Sequence, residues 1–183
     1  MSLIGFENVH YAILTKDDST GVEYGTPSLL SGAISISENA QSNTVELYAD
    51  NRLWEADTVF TKGDVELNLA DLALADYAAL CGHSIDGSGK LIENVNDIAP
   101  DICLMGEALK GDKKNKRYFK LLKGQCAKLG LDMKTKTNNP EKTTPTLKAT
   151  FMPRQYDGNY KYVKDYPTDT ATSITSAWYS SVE

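Results

Sequence analysis

Few side chains here have the types and spacing that catalysis or metal binding needs. The two histidines, His10 and His83, stand far apart and read as satisfied structural residues. Zinc needs cysteines and histidines at tight spacing such as Cys-x-x-Cys, and Cys81, Cys103 and Cys126 provide none. Three cysteines cannot all pair within one chain, so they read as reduced, mostly buried thiols. The stretch Gly82 to Leu91 invites comparison with a phosphate-binding loop. It lacks the first glycine, where Ser84 stands, and the hydroxyl after Lys90, where Leu91 stands; a helix also precedes it where a strand is required. The acid pairs Asp17 and Asp18, Glu55 and Asp57, and Asp64 and Glu66 have no Asp-x-Asp-x-Asp-Gly frame and read as a solvated face. The basic run Lys110, Lys113, Lys114, Lys116 and Arg117 reads as a charged hairpin tip, with contact to phosphate as the alternative. No catalytic, cofactor or metal site is expected.

The chain of 183 residues, 41% hydrophobic, fits one folded domain, and a net charge of -6 opposes tight grip on nucleic acid. No apolar run reaches the roughly 20 residues that span a bilayer, and the first residues lack the regions of a secretory signal. The expectation is synthesis in a cytoplasm, with no membrane partner.

Strands dominate the pattern. Val9–Thr15 and Leu29–Ser37 read as strands, with Thr44–Ala49 as the continuation or partner of the second. In Asp64–Ala70, Val65, Leu67 and Leu69 face one way while Asp64, Glu66 and Asn68 face the other. Asp71 is placed to cap a helix over Leu72–Cys81, which Gly82 stops. Ser84–Glu93 reads as a hairpin around Asp86-Gly87-Ser88-Gly89, and Ile102–Met105 and Tyr118–Cys126 as strands joined through the basic run. Thr143–Met152 and Tyr160–Val163 are expected to pair with each other around Asp157-Gly158. The fold class is mainly β with one short flanking α-helix (α+β), a β-sandwich or barrel. Residues 1–166 form the domain, and residues 167–183, rich in Thr and Ser, form a flexible arm that is loose until it docks.

The segments "GFENVHYAILTKDD", "YGTPSLLSGAISIS", "LYADNRLWEADTVFTKGDVELNLADL", "GKLIENVNDIAP" and "TPTLKATFMPRQYDGNYKY", taken in order with the helix ending at Gly82-His83, resemble the major tail protein family. These are the tail tube proteins of long, non-contractile tailed phages and prophages of Gram-positive bacteria. The resemblance runs from Leu3 to about Tyr166; the segment after Cys126 and the end from Pro167 match no part of the pattern. It implies a tail-tube-like β-sandwich or barrel whose copies form hexameric rings, stacked into a tube in the virion tail after assembly in the host cytoplasm. The tube houses the tape-measure protein, meets tail-tip and terminator proteins, and lets DNA pass without tight binding. The family has no catalytic residues.

A tube needs one contact that closes a ring and another that repeats without closing. Leu53, Trp54, Val59 and Phe60, in what reads as a long excursion before Asp64, are expected as assembly anchors, with a loop folded back on its own core as the alternative. Trp178 and Tyr179 in the arm are the second candidates. Six copies at -6 each carry about -36, so acids facing the channel, with Asp64 and Glu66 as one choice, would repel phosphate. The alternative function is a β-sandwich binding or capsid-decoration module.

Overall fold

The computed structural model describes residues 2–130, 144–168 and 177–182. Its elements are β1 (Leu3–Asp18), β2 (Gly21–Tyr24), β3 (Ser28–Leu29), β4 (Ala33–Ala49), β5 (Arg52–Leu69), α1 (Leu74–Cys81), β6 (Ser84–Ile85), β7 (Leu91–Ile92), β8 (Ile102–Lys110), β9 (Asn115–Cys126), β10 (Thr146–Phe151) and β11 (Lys161–Pro167). Among the described residues the chain is mainly β, as the alternation requires, with the short helix α1 and one helical turn over residues 177–180. Nine strands form one antiparallel sheet in the order β2-β1-β8-β9-β10-β5-β4, with β3 beside β1 and β11 beside β9. The order has two ends and does not close. A second, two-stranded sheet is the expected hairpin of β6 and β7, whose turn is held by Asp86 Oδ1 accepting from the backbone N–H groups of Ser88 and Lys90.

Val65, Leu67 and Leu69 of β5 are buried, and with Val9, Leu80, Leu104, Leu121 and Phe151 they form the larger core, which α1 covers. The run from Ile102 to Met105 does not alternate because both faces of β8 are covered. Ile102 and Leu104 enter the larger core, while Cys103 and Met105 enter a second core with Tyr118, Leu122, Tyr179 and Val182.

The structure corrects three expectations. Strands β10 and β11 do not pair with each other; both lie along one edge of β9, β10 against residues 124–126 and β11 against residues 115–121. One long strand therefore supports two short ones end to end. Asp71 does not cap α1: the N-cap is Ala73 without a side-chain bond, and Asp71 accepts instead from the neighbouring Leu72 N–H. At the other end Gly82 does stop the helix, with φ 73° and Ile98 O only 2.2 Å from where a Cβ would lie. The third correction is the excursion before Asp64, which is a strand from Arg52 onward.

Candidate functional site

Strands β4 and β5 pair along almost their whole length, from Ala33 with Leu69 to Ala49 with Arg52. Beyond the core their outer halves continue as a hairpin that packs on little else. The tip is Asp50-Asn51, with φ of 52° and 59°, the left-handed pair that a two-residue turn needs to match strand twist. Asp and Asn accept that conformation better than other residues with a side chain, so the sequence did carry a signal for this turn.

The hairpin is apolar where solvent would favour polar groups. Val45 (68% exposed), Leu47, Tyr48, Leu53, Trp54 (59%) and Val59 (62%) are all in water. Acids stand among them: Val45 pairs across the strands with Asp57, and Leu47 with Glu55, so each pair shares a face. Among the described residues Glu46, Asp50, Glu55 and Asp57 make no ion pair. Local contacts stiffen the ladder: Thr44 and Thr58 hydroxyls lie 3.0 Å apart, Tyr48 OH donates to Glu46, and the Arg52 guanidinium sits over the Trp54 ring.

Of the four expected anchors, Leu53, Trp54 and Val59 project from this hairpin, and none is folded back on the core. Phe60 differs. Its ring rests on that of Tyr160, 4.4 Å between centroids, at the root of the hairpin. Tyr160 OH donates to Glu38 on β4, which also receives the Lys161 ammonium at 2.7 Å. Gly63 leaves room for that ring, since an added Cβ would stand 1.8 Å from Tyr160 OH.

Trp178 and Tyr179, expected in a loose arm, lie on the chain's own second core. Tyr179 stacks on His10 at 4.3 Å, and Trp178 meets Tyr118. Lys120 fastens the segment, donating to the carbonyls of Ser181 and Val182 with its ammonium over the Trp178 ring. Burial pushes the Tyr179 phenol far above its ordinary value. The rest of the arm, residues 169–176, lies outside the described residues.

Asp64 and Glu66 point to solvent, as the alternation demands, but neither is a free charge. Asp64 accepts from Thr150, Lys62 and Gln41, which hold its carboxyl below the usual range, and Glu66 pairs with Lys148 at 3.0 Å.

The basic run divides in a way that sequence reading missed. Lys110 and Arg117 both grip Asp165 on β11, and Lys116 bridges Glu7 and the fully buried Glu107, which also accepts from Asn8. Burial works against the Lys116 charge, yet the two glutamates push its pKa above the ordinary range. Lys113 and Lys114 remain at the turn without a carboxylate partner among the described residues. The partners are more than forty positions away for Asp165 and about a hundred for Glu7, beyond any local pattern.

His10 Nδ1 lies 2.9 Å from Asn8 O, and His83 Nδ1 lies 2.7 Å from Asp97, which also accepts from Asn94 N–H. Each histidine is thus held through Nδ1, but the buried Nε2 of His83 has no hydrogen-bond partner among the described residues. No group of three potential metal ligands converges among the described residues, and no described helix is long and apolar enough to cross a membrane. Cys81, Cys103 and Cys126 are buried, and no disulfide joins them.

An open groove of about 560 Å³ runs between the start of β1 and the base of β4, walled by Leu3, Ile4, Phe6, Ile34, Ile36 and Val163. Its two cations, Arg117 and Lys161, are paired with Asp165 and Glu38. Such a surface can bind; it offers no converging acid, base and nucleophile. No protein-family model matches the chain, and no curated protein matches it in sequence.

Proposed function

We propose that this chain is a structural subunit that assembles with copies of itself into stacked rings, forming the tail tube of a long-tailed phage or prophage. The observation that carries the reading is the β4–β5 hairpin: a long paired arm that presents Val45, Leu47, Leu53, Trp54 and Val59 to solvent. Large apolar side chains gathered in water on one projecting element mark it as an interaction surface. A rigid strand pair also loses little entropy on docking, which favours it as an interface over a mobile loop. The ordered resemblance of its segments to tail tube proteins supplies the identity of the assembly.

On this reading the protein works by assembly and not by catalysis. The tube holds the tape-measure protein while the tail is built, meets tip and terminator proteins at its ends, and lets DNA pass. Net negative charge keeps DNA from adhering to the wall. Each interface should bury on the order of 1,200–2,000 Å².

Electron microscopy of the purified protein at rising concentration tests the proposal. Rings or hollow tubes are expected. A monomer at every concentration would overturn it and favour a β-rich binding or decoration module.

A further inference from the structure

An amine and a carboxamide meet on one buried carboxylate oxygen. Glu107 Oε1 accepts from Asn8 Nδ2 at 2.7 Å and from the Lys116 ammonium at 2.9 Å. The two nitrogens are therefore no farther apart than those bonds laid end to end. Three neighbouring strands supply the groups: Asn8 comes from β1, Glu107 from β8 in the middle, and Lys116 from β9. β1 is irregular between Glu7 and His10, and Asn8 takes φ 56° there. Such a bulge re-aims a side chain, and Asn accepts the left-handed conformation it needs.

An ion pair kept for stability does not account for this arrangement. Glu107 is the one acid in the buried run Ile102–Ala108, and its second oxygen, Oε2, is buried with no hydrogen-bond partner among the described residues. A buried carboxylate that served stability alone should have both oxygens satisfied. Tyr118, opposite Glu107 on β9, is also fully buried and belongs with Tyr179 to the second core, which keeps water from that side. A desolvated carboxylate that touches both an amine and a carboxamide is placed to carry protons between them.

We infer that Lys116 and Asn8 of the same chain join in an isopeptide bond, with Glu107 moving the protons. The Lys116 ammonium gives a proton to Glu107, and the free amine attacks Asn8 Cγ. Glu107 passes that proton to Nδ2 and takes a second from Nζ as the Nζ–Cγ bond replaces the Cγ–Nδ2 bond. The released ammonia carries off the second proton as ammonium, so Glu107 ends as it began and no other reactant is consumed. Asn8 is exposed, which gives the ammonium an exit. Glu7, which also holds the Lys116 ammonium at 2.7 Å, favours the charged amine and slows the reaction. One turnover per chain tolerates a slow step. The product ties β1 to β9 across β8, and it does not depend on the assembly reading.

Intact mass and peptide mapping of the full chain, held folded for several days, test this. The chain should become lighter by one ammonia, and its digest should hold one branched peptide that joins the segment of Asn8 to that of Lys116. Glu107→Gln and Lys116→Arg should each keep the full mass, with circular dichroism to show that they fold; the parent's own mass decides the matter if they do not. Glu7→Gln should form the bond several times faster, because Lys116 then loses one of the carboxylates that hold its charge. Full mass in both the parent and Glu7→Gln overturns the proposal and leaves an ion pair. Loss of ammonia without the branched peptide also overturns it, since that is the mark of a succinimide at an asparagine. A branched peptide that still forms in folded Glu107→Gln overturns the role given to Glu107.

Discussion

The ring of Phe60 lies against the ring of Tyr160 at the place where the β4–β5 hairpin leaves the sheet. With Glu38 below Tyr160 OH and Gly63 beside it, this contact fixes the direction in which the arm projects. Phe60 thus serves the arm from its root, whereas Leu53, Trp54 and Val59 serve it from the exposed part.

That division of roles separates two kinds of variant. Trp54→Asp should leave melting within about 0.5 kcal/mol of the parent, as surface substitutions do, while abolishing tubes in electron micrographs. Phe60→Ala should cost about 1–2 kcal/mol through the lost aromatic pair, lowering Tm by about 2–8 °C. Equal loss of stability in both variants would contradict the distinction.

Gly63→Ala should act on the arm's direction. The new methyl would drive Tyr160 from its position and break its hydrogen bond to Glu38. A fall in Tm together with faster amide exchange in β4 residues 36–42, compared with an Ala substitution at an open glycine such as Gly87, is the expected signature.

Acid should loosen the β9–β11 edge. Arg117 and Lys110 hold the Asp165 carboxyl far below the usual carboxylate range. A depressed folded pKa contributes stability that is fully present above the unfolded value of about 3.9 and is lost as pH falls toward the folded one. Asp165→Asn should therefore flatten part of the decline in stability below about pH 4, measured by denaturant titration across pH.

The C-terminal segment should behave as part of the domain. Removing residues 177–183 uncovers Met105, Tyr118 and Leu122 and discards Tyr179 and Val182, whose burial is worth about 1.5–3 kcal/mol each. The truncated chain should melt lower and bind a hydrophobic dye more strongly; unchanged melting would show that the segment adds nothing to the second core.

Thiol chemistry offers a check on the core. Burial pushes the Cys81 thiol to about 11 and that of Cys126 to about 12. At pH 8 the folded protein should resist thiol labelling, and denaturant should release all three cysteines to the reagent.

What the sequence determined by itself was local. Alternation in Asp64–Ala70 set which side of β5 is buried, because a strand's side chains switch face at every residue. Gly82 marked the end of α1, and Asp86-Gly87-Ser88-Gly89 marked a hairpin, because each is a backbone conformation that few residue types accept. The exposed arm was half legible: the apolar residues from Leu53 to Val59 drew attention, but their charged neighbours hid the strand. In an arm with solvent on both faces no core imposes alternation, so the usual strand period is missing.

Tertiary structure alone decided the rest. It placed β10 and β11 end to end along β9, and it laid Trp178 and Tyr179 on the chain's own second core. It also consumed most of the basic run in ion pairs with Asp165, Glu7 and Glu107. Each of these depends on which distant segment fills an edge, a face or a charge. Local periodicity fixes which way a side chain points, and only the packed sheet fixes what it meets there.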